Sequence, residues 1–419
     1  MSKLAKALQA AAGNAGGDNL YVEDVFSTYL YKGNGSTQTI TNGIDLDGEG
    51  GLVWVKNRTT AITHVVYDTE RGVQKRLETP NTTAETTDAQ GVTAFNNNGF
   101  SLGSSTTSND TAEDHVSWTF RKAEKFFDVV TWTGDGSTTT HSHNLGSTPA
   151  VIIVKRTDST SDWNTYHKDA TDGVRSGANL MLYLNKTNPA TYLGIEPLWA
   201  ATDSTFTTIG GGNFNASGGT YVAYLFASDA GGFGDDGSEN IIKCGSWNEN
   251  STNNVTIDCG FEPDFVMFKC AGAASSWFMV DSMRGIPTPS SATATGNYIN
   301  TVLQANSENA ETSANAISLT STGFTWYADG RLTNTAKWIY IAIRRPMKTP
   351  ESGTEVFSPV AYSGNGAGQR TIDLDLTLDM LVTKGRNATI ENIMYNRLSG
   401  TNKRLVTSSS ANEASSSTN

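Results

Sequence analysis

One unit is written four times along this chain, and that repeat constrains the fold more than any other feature. The stretches YKGNGS (31–36), WTGDGS (132–137), WNENST (247–252) and YSGNGA (362–367) open on Tyr31, Trp132, Trp247 and Tyr362, spaced by 101, 115 and 115 residues. A lysine follows each aromatic by 22–25 residues and closes an apolar run: GLVWVK at Lys56, AVIIVK at Lys155, FVMFK at Lys269 and DMLVTK at Lys384. After 12–14 more residues comes Asp or Asn with Gly four positions on: Asp68 and Gly72, Asp169 and Gly173, Asp281 and Gly285, Asn396 and Gly400. Phenylalanine recurs late in the first three copies (Phe100, Phe206, Phe324), and the alternating runs HVSWTFR, YVAYLFA and KWIYIAI close them.

These landmarks divide the chain into an N-terminal docking segment (1–23), repeat 1 (24–124), repeat 2 (125–229), a linker with repeat 3 (230–349) and a linker with an incomplete repeat 4 (350–419). The linker stretches DAGGFGDDGSE and RRPMKTPESG are Gly/Asp-rich and Pro-bearing, as boundaries should be. The fourth copy stops where the first still has about 40 residues to run, so either the natural polypeptide continues or another chain completes that copy.

Each unit reads as strands. Gly numbers 41 and charged residues are only 17%, and Gly, Ser, Thr and Asn are all mediocre helix formers. The Asn-Gly and Asp-Gly pairs suit a tight β-hairpin, in which φ is positive. Alternation in FDVVTWT, SWTF and WIYIAI has the period of a strand, whereas VIIVK is apolar at successive positions, as a central strand covered on both faces requires. The expectation is an all-β chain: tandem β-sandwich modules of about 110 residues with six to eight strands each, arranged as an elongated rod. The aromatic before each turn is expected to be a core anchor.

Net charge is −12 and the pI is near 4.9, a balance that repels phosphate backbones and argues against nucleic-acid binding. No run approaches the ~18 apolar residues of a membrane helix, so membrane insertion is not expected. MSKLAKALQAAAGNAGG lacks the apolar core of a secretory signal; residues 2–12 read as a short helix with Leu4 and Leu8 on one face. The three cysteines lie between 244 and 270. Cys244 and Cys259 could face each other across a hairpin, but free buried thiols are the expected state.

The search for chemistry yields no catalytic, cofactor-binding or metal residue and no cofactor. Lys and Asp at fixed separation in every unit resemble an acid/base pair, yet Asn396 cannot serve as a base and an enzyme has little use for four copies of one site. The expected role is structural: Asp starting a turn that Gly completes, with the lysine at a strand end in solvent. Asp45, Asp47 and Glu49 in IDLDGEGG have a spacing faintly like a calcium loop without its terminal glutamate. His141 and His143 in HSH share a strand face, so three chains on an axis could offer six imidazoles to one metal; solvent-exposed histidines are the default.

The segments GLVWVKNR (51–58), HVVYDTERG (64–72), GVTAFNNNGFSLG (91–103) and SWTFRKAEKFFDVVTWTGDG (117–136) resemble a repeat module of tail fibre and tail-fibre-like virion structural proteins of marine bacteriophages, cyanophages among them. The resemblance covers residues 20–226; copies three and four match through the landmarks alone. It implies a non-enzymatic virion component located in the tail and assembled in the host cytoplasm, a homotrimer by analogy. Its N-terminus would bind tail adaptor, nozzle or baseplate proteins, and its distal units would meet a host cell-surface receptor or glycan. The alternatives are a glycan-binding or glycan-degrading spike, with the nine tryptophans as sugar platforms, and a head-attached fibre or decoration protein.

Overall fold

The computed structural model describes residues 19–195, 198–249, 254–286, 299–315, 317–327, 336–347, 353, 356–364, 372, 374, 378–387, 389–396 and 403–415. The expected helix over residues 2–12 lies outside them. Two compact units emerge, residues 1–348 and 349–419.

The first unit holds three copies of one nine-stranded pattern. Copy 1, after a four-residue helix α1 (Val22–Val25), comprises β1 (Phe26–Lys32), β2 (Gln38–Thr41), β3 (Gly51–Asn57), β4 (Val65–Asp68), β5 (Lys75–Glu78), β6 (Thr86–Thr87), β7 (Val92–Asn96), β8 (Gly99–Leu102) and, after the short α2 (Thr106–Asn109), β9 (Asp114–Arg121). Copy 2 runs from β10 (Phe127–Thr133) and β11 (Thr139–Ser142) through β12 (Val151–Arg156), β13 (Asn164–His167), β14 (Leu180–Tyr183), β15 (Thr191–Tyr192), β16 (Ala200–Ala201) and β17 (Thr205–Thr208) to β18 (Thr220–Phe226). Copy 3 comprises β19 (Ile242–Asn248), β20 (Val255–Asp258), β21 (Pro263–Cys270), β22 (Phe278–Asp281), β23 (Ile299–Gln304), β24 (Thr312–Asn315), β25 (Ile317–Thr320), β26 (Gly323–Trp326) and β27 (Lys337–Arg344).

Each copy forms one six-stranded and one three-stranded antiparallel sheet, with identical order: β1-β9-β3-β4-β5-β6 and β2-β8-β7 in the first, and the same succession in the others. This corrects the reading of the aromatic-turn stretch as a hairpin. β1 pairs with β9 and β2 with β8, so YKGNGS carries the chain from one sheet to the other. The sharp turn is needed all the same. A Cβ on Gly33 or Gly134 would lie about 2 Å from the carbonyl oxygen of Asp110 or Ala216. Gly35 and Gly136 adopt φ of 65° and 85°, where a side chain is strained. Buried Asn109 ties the passage by donating through Nδ2 to Ser36 O (2.6 Å) and Gly103 O (2.7 Å).

Alternation along the central strands divides the core in two. From β3, Val53 and Val55 face a cluster shared with Ile40, Phe100 and Leu102 of the small sheet; Leu52 and Trp54 point the other way. Their cluster also holds Ile153 of copy 2 and Phe265 and Met267 of copy 3. A sheet buried on both faces explains the unbroken apolar runs. Three of the four aromatic anchors are packed as expected, Tyr31 and Trp247 buried and half-buried Trp132 stacked on Tyr221 at 5.2 Å, whereas Tyr362 of the fourth copy is 51% exposed.

The three copies do not lie in line, as modules in a rod would. Copy 3 bonds directly back to copy 1, and the same contacts recur at all three junctions. Glu85 N–H donates to Thr157 O, Ala190 N–H to Ala271 O and Glu311 N–H to Arg58 O, each at 2.8 Å. Trp163 Nε1 donates to Glu78 O and Trp277 Nε1 to Tyr183 O, both at 2.9 Å. Buried His64 holds the equivalent place in copy 1. The chain therefore closes a ring over a common aromatic core that includes Phe120–Phe226 (5.7 Å) and Phe120–Phe265 (6.4 Å).

Among its described residues the second unit forms β28 (Met380–Thr383), β29 (Ile393–Asn396), β30 (Lys403–Val406) and β31 (Ala414–Ser415), paired in that order. Their register repeats that of β3 to β6. Met380 faces Asn396 as Leu52 faces Asp68, and Lys403 faces Ser415 as Lys75 faces Thr87.

Because the three sheets share one core, the first unit should unfold in a single transition in urea, with tryptophan fluorescence and far-UV circular dichroism coincident. Trp163→Ala should lower the unfolding free energy read from that transition by about 3–5 kcal/mol. Separate, staggered transitions for the copies would contradict the shared core.

Candidate functional site

In the three complete copies the repeated lysines are not at the surface, whereas Lys384 of the fourth is exposed as expected. Lys56, Lys155 and Lys269 are fully buried, because the strand that each closes is central and continues into a loop that folds back over its Nζ. Each donates to the carbonyl six residues later, of Ile62 (2.7 Å), Ser161 (2.5 Å) and Ser275. Each also crosses a junction: Lys56 to Glu308 O at 3.0 Å, Lys155 to Thr82 O at 2.9 Å, Lys269 to Thr187 O at 3.2 Å. Burial pulls all three pKa values down to about 8. They are still protonated at pH 7, and carbonyl dipoles replace the water that the ammonium has lost. With its protons committed to main-chain oxygens, none is placed to act as a base or nucleophile.

The acidic landmark is also internal, and in copy 2 it is shifted. Strand register equates Asp68 and Asp281 with His167, opposite Leu52, Phe265 and Val151, and not with Asp169. Asp281 receives Arg284 Nε at 2.6 Å and, across a junction, Trp118 Nε1 at 3.1 Å. Asp68 likewise receives Arg71 Nε at 2.6 Å and Tyr224 Oη at 2.7 Å. Burial alone would lower the pKa of Arg71, but Asp68 and its neighbours outweigh that and raise it. In copy 2, His167 Nε2 meets Tyr340 O at 3.1 Å instead, and burial holds its pKa near 4, so the neutral imidazole bonds a backbone carbonyl where the other copies use a charge pair. The sequence landmark in copy 2, Asp169, instead forms an exposed pair with Lys168 at 2.9 Å.

The remaining candidates are accounted for locally. Asp45 accepts from Gly48 N–H at 2.7 Å and closes its own turn. His141 is packed 4.5 Å from Trp132 and bonds Thr208 Oγ1 at 2.8 Å. His143 is buried, accepting from Leu145 N–H. Burial lowers both pKa values. His143 is buried and His141 half-buried, so neither ring is the solvent-exposed histidine of the default reading. Among the described residues no cluster of three or more His, Cys, Asp or Glu could hold a metal ion. Cys244, Cys259 and Cys270 are free and buried; burial pushes the Cys259 thiol up to about 12, so it is not a thiolate nucleophile at neutral pH.

One open cleft, about 370 Å³, lies between copies 2 and 3, lined by Lys168, Asp169, Asp229, Lys243, Trp247 and Tyr340 among others. Sequence reasoning did not find it, since it depends on the junction. Its floor is shaped by an exchange across one strand pair. Gly245 faces Tyr340 where copy 1 sets Tyr29 against Ser117, and a Cβ at Gly245 would come within 2.5 Å of Tyr340 Oη. The charged walls are already paired, Lys168 with Asp169 and Lys243 with Asp229 at 3.6 Å. Nor do the tryptophans make sugar platforms: eight of the nine are buried, and Trp132 is half-buried.

A family model, Domain of unknown function (DUF7483), matches residues 22–345, which spans all three complete copies. The chain belongs to that family. Its description assigns no activity, so the DUF7483 region is defined by its architecture: the match begins at α1 and ends just after β27. No curated protein matches the chain.

Two outcomes follow. Lys155→Met should remove up to one proton from the uptake that accompanies unfolding between about pH 8 and 10.5. The folded lysine titrates near 8 and the unfolded one near 10.5, so its contribution makes stability rise with pH across that window. The buried cysteines, with raised pKa values, oppose this above about pH 9, so the measurement is the difference in slope between wild type and variant in urea titrations at several pH values. Arg284→Met leaves the Asp281 carboxylate buried without its cation and should cost about 3–5 kcal/mol, read from the urea midpoint.

Proposed function

We propose that this DUF7483 protein is a non-enzymatic structural component of a bacteriophage particle, a tail fibre held to the tail through its N-terminal segment and reaching toward the host surface. The observation that carries the non-enzymatic part is the fate of the repeated polar residues. The lysines and the Asp–Arg pairs, the groups a repeated catalytic site would use, are consumed: the lysines in main-chain bonds that cross from one copy to the next, and the pairs in ion pairs within a copy whose carboxylate a ring of another copy shares. Placement on a phage tail rests on the resemblance of residues 20–226 to fibre repeat modules.

In this reading each copy is a two-layer sandwich, and the ring of three is a rigid block built for load. The elongated rod belongs to an assembled homotrimer and not to copies laid end to end. The N-terminal segment binds the tail adaptor, nozzle or baseplate. Any receptor or host glycan is met where the copies differ, as at the Gly245–Tyr340 exchange.

Gold-labelled antibody against this protein, imaged on intact particles, should decorate the tail. Label on the head would make it a decoration protein, and particles without label would overturn the virion assignment. Sustained release of oligosaccharide from host polysaccharide by the purified protein would overturn the non-enzymatic part.

A further inference from the structure

The junction between copies 3 and 1 differs from the other two in how it is held. Residues 122–126 carry the chain from β9 to β10, and residues 227–241 carry it from β18 to β19. β27 and β1 are the last and first strands of the ring, so contacts alone close their junction. Two of those contacts bring charged side chains to positions that are uncharged in the other copies. Arg58, whose carbonyl accepts the Glu311 N–H, also holds the Glu311 carboxylate through Nη2 at 2.8 Å; Thr157 and Ala271 take its place at the other junctions. Asp264 precedes Phe265, which lies opposite Ile343, and Gly51 and Ala150 precede the corresponding Leu52 and Val151. Asp264 is buried, and its Oδ2 accepts across the junction from Thr28 Oγ1 at 3.2 Å. Val129 and Cys244 stand where Thr28 does, three residues before the anchor aromatic.

Only hydroxyls serve the Asp264 carboxylate, Thr28 Oγ1 on Oδ2 and Ser282 Oγ on Oδ1. The charged groups on the elements packed around it are paired elsewhere: Asp281 with Arg284, Arg345 with Glu262 and Arg344 with Glu239. Burial above all, with repulsion from Asp281, pushes its pKa up to about 6 against the pull of both hydroxyls and of Arg345. We propose that this junction is a seam at which the ring opens reversibly while each copy keeps its own sheets, and that the charge on Asp264 sets how often it opens. Opening bares Phe26 and Phe265, whose rings pack across the seam at 5.7 Å. An ionised Asp264 is poorly solvated in the closed ring and well solvated in the open one. The closed ring therefore holds the proton more tightly. Through this group, closure is strongest in acid, weakens as pH rises from 3.8 to about 6, and is level above that. His64, buried on the copy 1 side of the same junction with its pKa held down by burial, acts in the opposite sense, because protonation in acid favours the open ring.

Three equivalent amides report on the three junctions, since Glu85, Ala190 and Glu311 each donate one main-chain bond across. The test is hydrogen exchange of the full chain, resolved to single amides and corrected for the intrinsic rate at each pH. At pH 7.5 Glu311 should be the least protected of the three in the wild type, a comparison that needs no variant. Asp264→Asn keeps the shape of the side chain and removes its charge. The ratio of Glu311 protection in this variant to that in the wild type cancels the effect of His64, and it should grow about tenfold between pH 5 and pH 7.5. The same ratio for Glu85 and Ala190 should not change with pH. Glu311 protected as strongly as the other two at pH 7.5 would overturn the seam. A Glu311 ratio that is flat between pH 5 and 7.5, or that falls, would overturn the role of Asp264.

Discussion

The face that three six-stranded sheets share is the constraint on which the rest of the first unit depends. Because side chains alternate across a strand, Val53 and Val55 are spent on the core of their own copy while Leu52 and Trp54 must be buried elsewhere. One copy cannot supply that second cover, and two would leave an edge of the apolar surface in water. Three close the surface, each sheet covering the others. Ring closure thus follows from the apolar runs themselves, and it explains why the third copy turns back to bond the first.

Closure brings polar groups inside, and the way they are handled is the same at each junction. A lysine at the end of a central strand cannot reach solvent once the next copy has docked, so its ammonium is solvated by carbonyls from its own loop and from its neighbour. Replacement of water by oriented main-chain dipoles costs little reorganisation and depends on position, so it fixes how one copy sits on the next. The Asp–Arg pairs show the complementary case. Copies 1 and 3 keep the charge pair and let a ring N–H or O–H from another copy share the carboxylate, whereas copy 2 replaces the set with His167 on the Tyr340 carbonyl, and Ile341 stands where Trp118 and Tyr224 stand in copies 1 and 2. The geometry of the junction persists while its chemistry changes, as expected where burial drives association and polar contacts set register.

The strands, their period and the repeat were legible because they are local: Gly-Asn-Gly turns, alternation and apolar runs report on neighbouring residues. Even the central position of GLVWVK and AVIIVK could be read from their unbroken hydrophobicity. What covered the second face could not, since the same run fits a helix layer, another sheet or a partner chain. That is why a linear rod and a solvent-exposed lysine were expected. The lysine closes an apolar run at a strand end, where a solvent-facing residue would also stand, and only the docking of Thr82, Thr187 and Glu308 makes it internal. The displacement from Asp169 to His167 was hidden for a related reason: copy 2 keeps an Asp-to-Gly spacing in its loop, so pattern matching locks onto the loop, and only strand register shows which residue takes the buried place.

The fourth copy separates the local from the cooperative part of this design. Its four described strands hold the register of their counterparts, and Lys384 makes the same six-residue loop contact, although Met380, Leu381 and Val382 are exposed where Leu52 to Trp54 are buried. The lysine loop and the outer strands are therefore set by nearby sequence. Where burial is complete, as in the first three copies, substitutions are bound by three sets of neighbours at once, so diversity has room only at positions that face out of the ring or at compensated exchanges such as Gly245 with Tyr340.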